Sequence, residues 1–211
     1  MVRRENGYMY QTHPRTKGST GFPDKIRETE HFRDPHYLGA GWKAMPSDLS
    51  SPRLGERSLK LIDDMSNWGL RKRLLGEVDV FQIDSTHELW AHMNINYVRM
   101  PRLPDYGHYG ELLEALAKND NFISTGEVLL PEWKLDGETV HAKVSHTFPL
   151  KMAEVVWGNG EQTFRVTIPL EQTREFTDTV IDRRFQTPNR KWARFAVWDV
   201  AGNGAFTNPV W

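Results

Sequence analysis

The chain contains no cysteine. That excludes disulfides and thiolate ligands, so any bound metal would sit on His, Asp and Glu. No apolar run approaches the length of a transmembrane helix. The start, MVRRENGYMYQTHPR, has no apolar core after its basic residues and does not read as a signal peptide. Neither charge sign prevails: 27 Lys and Arg against 28 Asp and Glu leave a net charge of -1. There is thus no global field to draw nucleic acid or an anionic membrane, and neither is an expected partner. Repeats and low-complexity tracts are also missing.

What is present is enough for a core. The 211 residues are 38% hydrophobic and suit one large domain or two small ones. Eight tryptophans are many for this length, and burial is their default role.

Ligand-type residues concentrate between Gly76 and Met100. Val78, Val80 and Ile83 have strand character and are interleaved with Asp79 and Asp84; His87, Glu88 and His92 follow, then a strand-like Asn96-Tyr97-Val98-Arg99. Carboxylates and imidazoles just past a buried strand are what a divalent-metal or acid–base site needs. A second candidate precedes them. Gly7 to Gln11 reads as a short strand running into His13-Pro14, which places His13 at a strand's carboxyl end, the usual ligand-bearing edge of parallel sheets.

From Arg15 to Pro52, Gly, Pro, Ser and Thr dominate, and the segment reads as a long loop with a short helix near Asp24 to Glu30. His31 and His36, flanking Asp34-Pro35, read as loop histidines. Leu54 to Leu61 favours a helix that Ile62 to Met65 either continues or ends, and Asn67-Trp68-Gly69 marks a break. Arg71-Lys72-Arg73 reads as a solvated basic face. Glu111 to Lys118 is the clearest amphipathic helix, stopped by Asn119-Asp120-Asn121. With Asn96 to Met100 before it and Phe122 to Thr125 after it, it suggests a βαβ-like unit. Beyond Gly126, short strands alternate with turns at Asp136-Gly137, Gly158-Asn159-Gly160 and Gly202-Asn203-Gly204, the pattern of an antiparallel sandwich.

The order of these pieces resembles the C-terminal part of the polymerase-and-histidinol-phosphatase (PHP) metallohydrolases, in the branch typified by carbaryl and methoxybenzoate hydrolases. The likeness is carried by His13-Pro14, Gly76-Glu77-Val78-Asp79, Asn96-Tyr97-Val98, Leu112 to Leu116, Phe122 to Glu127, Trp192-Ala193-Arg194 and Thr207-Asn208-Pro209. It implies an α/β plus all-β fold: residues 1–126 as the closing portion of a distorted (β/α) barrel, and 127–211 as a small antiparallel, Ig-like β-sandwich.

The resemblance also implies hydrolysis of a small phosphoester, amide or ester by metal-activated water. His13, Asp84 and His87 would be ligands of a divalent Zn, Mn or Fe ion, with Glu77 or Asp79 in acid–base support. The chain departs from that pattern in two places. The family's Asp-x-His meets Phe81 if Asp79 takes the aspartate's place, and His87 stands one residue late if Asp84 does. No His-x-His occurs anywhere, so the chain is expected to be either a part of such a hydrolase, lacking the first half of the barrel and self-associating or pairing with that half, or a degenerate relative that kept the fold and lost the chemistry. A non-catalytic alternative remains: a structural or carbohydrate-binding protein whose Trp133, Trp157, Trp192, Trp198 and Trp211 stack on sugars if exposed, or buttress the fold if buried.

Overall fold

The computed structural model describes residues 4–42, 56–77, 82, 84–86 and 94–211. The N-terminal part runs β1 (Met9–Thr12), α1 (Glu30–Arg33), β2 (Tyr37–Trp42), α2 (Glu56–Asn67) and β3 (Arg73–Gly76). The three strands form a parallel sheet in the order β1-β2-β3. Within α2, Leu59, Ile62 and Met65 recur at helical spacing and are all buried, while Lys60 faces out. The helix ends where Gly69 takes a φ of 76° and its N–H reaches the Ser66 carbonyl at 3.0 Å, a left-handed cap that glycine adopts without strain.

The rest is antiparallel. In chain order come β4 (Ile95–Val98), α3 (Gly110–Lys118), β5 (Asn121–Ser124), β6 (Val128–Asp136), β7 (Thr139–His146), β8 (Leu150–Gly158), β9 (Thr163–Pro169), β10 (Thr177–Arg184), β11 (Trp192–Asp199) and β12 (Gly204–Thr207). One sheet of six strands is ordered β4-β5-β12-β11-β8-β9, and one of three is ordered β10-β7-β6. Strands from both sides of Gly126, where the sequence suggests a boundary, share the six-stranded sheet.

β11 explains how the layers stack. All eight of its residues are buried, which period-2 geometry allows only if both faces are covered. Ala193, Phe195 and Val197 point into a core shared with Val128, Val140 and Val144 of the three-stranded sheet. Ala196 and Trp198 point the other way, into a core with Leu59, Ile62 and Met65 of α2 and with Phe32, Tyr37 and Leu74. The six-stranded sheet is therefore the middle layer.

The expected partial (β/α) barrel is not there: among the described residues strands far outweigh helices and the sheets are open. Two local facts explain it. β4 and β5, expected as parallel members of a βαβ unit, pair directly and antiparallel, Tyr97 opposite Phe122. Among the described residues, the outer edge of β3 is met by side-chain amides and not by a fourth parallel strand. Asn208 Oδ1 accepts from the Leu74 N–H at 2.7 Å and its Nδ2 donates to the Leu74 carbonyl at 3.1 Å. Asn96 does the same for Gly76, at 2.9 and 2.8 Å.

A buried ion pair fastens α2 to the middle sheet. Arg194 on β11, fully buried, donates from Nε and Nη2 to the two carboxylate oxygens of Asp63 at 2.6 and 2.8 Å. Burial pushes the Asp63 carboxyl up, and the guanidinium opposes that shift. One turn on, Asn67 Oδ1 accepts from the Trp192 indole at 2.9 Å and Nδ2 donates to Thr163 at 3.0 Å.

Candidate functional site

Because β1, β2 and β3 are parallel, the chain leaves all three at one edge, where open parallel sheets place their ligands. His13 follows β1 and Glu77 follows β3 at that edge. Gly41 lies between them in register, opposite Thr12 on β1 and Leu75 on β3. A Cβ at Gly41 would stand 2.6 Å from the Tyr10 ring and 3.2 Å from Glu77 Oε2. Only a residue without a side chain leaves these two groups room to meet above β2. They do meet: Glu77 accepts a hydrogen bond from the Tyr10 hydroxyl. Burial, then the nearby Glu77 charge and that hydrogen bond, raise the Tyr10 pKa above its ordinary value.

The backbone at His13 is unusual. His13 and Arg15 both have positive φ, 47° and 61°, on either side of the buried Pro14. Such conformations cost about 1–3 kcal/mol each for non-glycine residues and persist only when the surroundings impose them. Here Arg15 imposes them. Its guanidinium bonds both Asp24 oxygens, at 2.8 and 2.9 Å, and reaches Asp64 Oδ2 on α2 at 2.7 Å. These bonds hold the Asp24 carboxyl below the usual carboxylate range, against a smaller opposing effect of burial. The turn that presents His13 is thus clamped to the helix behind the sheet.

On the other flank, Asn94 Nδ2 donates to the Glu77 carbonyl at 3.1 Å. The Asn94 side chain is 6% exposed, and its Oδ1 has no hydrogen-bond partner among the described residues.

Of the five residues the sequence singles out, the structure brings His13 and Glu77 to this edge. Asp84 is exposed and its carboxylate accepts from the Thr86 N–H and hydroxyl. Asp79 and His87 lie outside the described residues. Among the described residues no group of three metal-capable side chains occurs. The sequence reading missed Tyr10 and Asn94. The glycine at position 41 was the available signal for Tyr10, since a strand glycine marks a close approach.

Several other candidates resolve as framework. His36 precedes β2 at the opposite, amino edge, its backbone N–H bonded to Asp34 Oδ1 at 2.8 Å. Lys72, expected on a solvated face, is 4% exposed. Its ammonium donates to the Asp34 and Tyr37 carbonyls at 3.1 and 2.6 Å and lies 4.9 Å from the centre of the Phe32 ring. Burial lowers its pKa to about 8. Trp157, Trp192 and Trp198 are buried in the cores and serve as buttresses.

No protein-family model, no curated protein and no solved structure matches this chain. No helix among the described residues is long and apolar enough to cross a membrane.

Proposed function

We propose that the carboxyl edge of the parallel sheet is a hydrolytic site acting on a small phosphoester, ester or amide. This reading keeps the chemistry that the metallohydrolase resemblance implies and drops the barrel. One observation carries it: the parallel sheet gathers His13, on a clamped and strained turn, and Glu77, in contact with Tyr10, at the same edge.

Tyr10, its pKa raised, stays protonated at neutral pH and donates its one O–H to Glu77, which holds that carboxylate at the edge. Glu77 is the acceptor for a proton taken from the attacking water. The donor set of imidazole and carboxylate suits Zn, Mn or Fe, and His13 and Glu77 would supply two of its ligands. A bound divalent ion would contribute a water of lowered pKa. Asn94 orients the Glu77 backbone.

Hydrolysis of p-nitrophenyl acetate and p-nitrophenyl phosphate by the full chain, supplied with Zn or Mn, tests the reading. Glu77→Gln and His13→Ala are each expected to lose about 10²-fold or more in kcat/KM, the scale of a positioned acid–base group. Activity unchanged in both variants would overturn it.

A further inference from the structure

β10 is the outermost strand of the three-stranded sheet, with β7 on one side and, among the described residues, no strand on the other. An antiparallel strand bonds a given neighbour through alternate residues only, so the rest of the β10 backbone faces outward. Such an edge is a template for another strand unless brevity, Pro, Lys or a bulge blunts it. The other edges are blunted. β1 and β4 have four residues each, β3 is met by the Asn96 and Asn208 amides, β6 carries Pro131 and a register shift against β7, and β9 ends on Pro169. β10 has none of these devices: Thr177–Arg184 contains no Pro, Gly or Lys and pairs with β7 in unbroken register.

Its carboxylates do not guard the edge, because β7 neutralises them. Asp178 accepts from the Ser145 hydroxyl at 2.6 Å and pairs with Lys143 at 2.8 Å; Asp182 contacts His141 Nδ1 at 2.8 Å. Val180, between them on the same outer face, is 75% exposed, and Phe176, just before the strand, is 82% exposed. Phe176 is held at a φ of 50° with its N–H on the Thr147 carbonyl at 2.9 Å, a backbone that persists only where it is imposed.

We propose that β10 pairs antiparallel with β10 of a second copy about a two-fold axis at Ile181, joining two three-stranded sheets into one. A two-fold interface must be complementary to itself, and the charges of β10 are. With the axis at Ile181, Asp178 stands opposite Arg184 of the second copy, and Arg184 opposite its Asp178. The Arg184 guanidinium is available for this, since within the chain it lies only within 3.6 Å of the exposed Glu138. Val180 stands opposite Asp182 and diagonal to its own copy, a spacing at which side chains touch. On the inner face Ile181 meets its copy, and Arg183, whose Nη1 bonds the Asp182 carbonyl at 3.3 Å, meets the neutral Thr179.

Neighbouring registers lack this match. Those that keep both outer faces on one side differ by two residues, because side chains alternate. Moving the axis to Val180 sets Asp178 opposite Asp182, and moving it to Asp182 sets that carboxylate opposite its own copy. Like charges directly opposite are destabilising. The self-complementary charge order is what selects a second copy of this chain over an unrelated strand.

The test is sedimentation equilibrium of the full chain from dilute to concentrated solution, beside amide hydrogen exchange at both extremes. A reversible monomer–dimer equilibrium is expected, with exchange slowed on dimerisation in β10 and unchanged in β9. Arg184→Glu and Asp178→Lys each replace the two opposite-charge pairs by like-charge pairs, and each should weaken the dimer about tenfold or more. Both positions are on the surface, so the melting temperatures should stay near that of the wild type. Mixing the two variants restores opposite charges at both pairs, so the mixture should dimerise more tightly than either variant alone. A monomer at every concentration, slowed exchange outside β10 alone, or a mixture no tighter than its components would each overturn the proposal. None of these outcomes bears on the hydrolytic edge, which shares no residue with β10.

Discussion

The six-stranded sheet meets its two neighbours by different means. Toward the three-stranded antiparallel sheet the contact is an apolar core: Val144, Leu150, Val155, Phe195 and Val197 are each 2% exposed or less. Full burial of such a side chain contributes about 1.5–3 kcal/mol and specifies no direction. Toward α2 and the parallel sheet there is also an apolar cluster, around Met65, Trp198 and Phe206. But directional groups are added: the Asp63–Arg194 pair, the Asn96 and Asn208 amides on β3, and Asn67 on Trp192. Apolar contact alone leaves the orientation of the parallel sheet and its helix open. The polar bonds fix its orientation, and the proposed site is carried by the part so fixed.

The largest expected effect breaks that difference at its strongest point. Arg194→Ala leaves the Asp63 carboxylate buried and uncompensated, and urea denaturation should show a loss of about 3–5 kcal/mol. Combining Asp63→Leu with Arg194→Met should recover most of it, since well-packed apolar replacements of a buried pair are often neutral. If the double variant is as unstable as the single one, orientation by the pair matters more than its desolvation.

Next come the edge amides. Asn208→Ala and Asn96→Ala each leave one N–H and one carbonyl of β3 without their partners, at a cost of about 1–3 kcal/mol. Amide hydrogen exchange at Leu74 and Gly76 should accelerate in the matching variant alone. Uniform acceleration across β8 and β11 as well would mean that the two regions open together.

The last effect is electrostatic and is read as a slope with pH. The Lys72 pKa in the folded chain, about 8, lies below the ordinary lysine value of 10.5, chiefly through burial, with the Asp34 charge opposing. Between those values the unfolded chain binds a proton that the folded chain has released, so stability rises with pH across the window. Relative to Lys72→Met, the wild type should gain at most about 1.4 kcal/mol per pH unit between pH 8 and 10.5. A flat difference would show that the buried ammonium keeps its ordinary affinity for the proton.

Much of the element content could be read from residue order. α3 occupies Gly110–Lys118 against an expected Glu111 to Lys118, and α2 breaks at Asn67-Trp68-Gly69 as the glycine requires. Sheet membership was less legible. β2 reads as loop because Gly39 and Gly41 dilute its strand signal, though the close approach of Tyr10, Glu77 and the Arg73 backbone is what requires glycine there. β10 shows no apolar alternation because only Ile181 of it is buried. The direction of β5 against β4 is not encoded in four-residue strands, so a helix between two strands suggested a parallel crossover that the chain does not make. At the proposed site, the place of His13 after a strand was legible, whereas Glu77 entered only through the family resemblance, since β3 itself read as a basic face. Tyr10 and Asn94 were not legible, since their roles depend on which strands become neighbours.

The most direct test of the hydrolytic edge is metal content by elemental analysis of the purified chain, measured beside His13→Ala and Glu77→Gln with urea curves showing that all three are folded. The account expects near-stoichiometric Zn, Mn or Fe in the wild type that falls in both variants at an unchanged urea midpoint. Folded wild-type protein without metal, or metal retained equally in both variants, would contradict the assignment of that edge as a metal-assisted hydrolytic site.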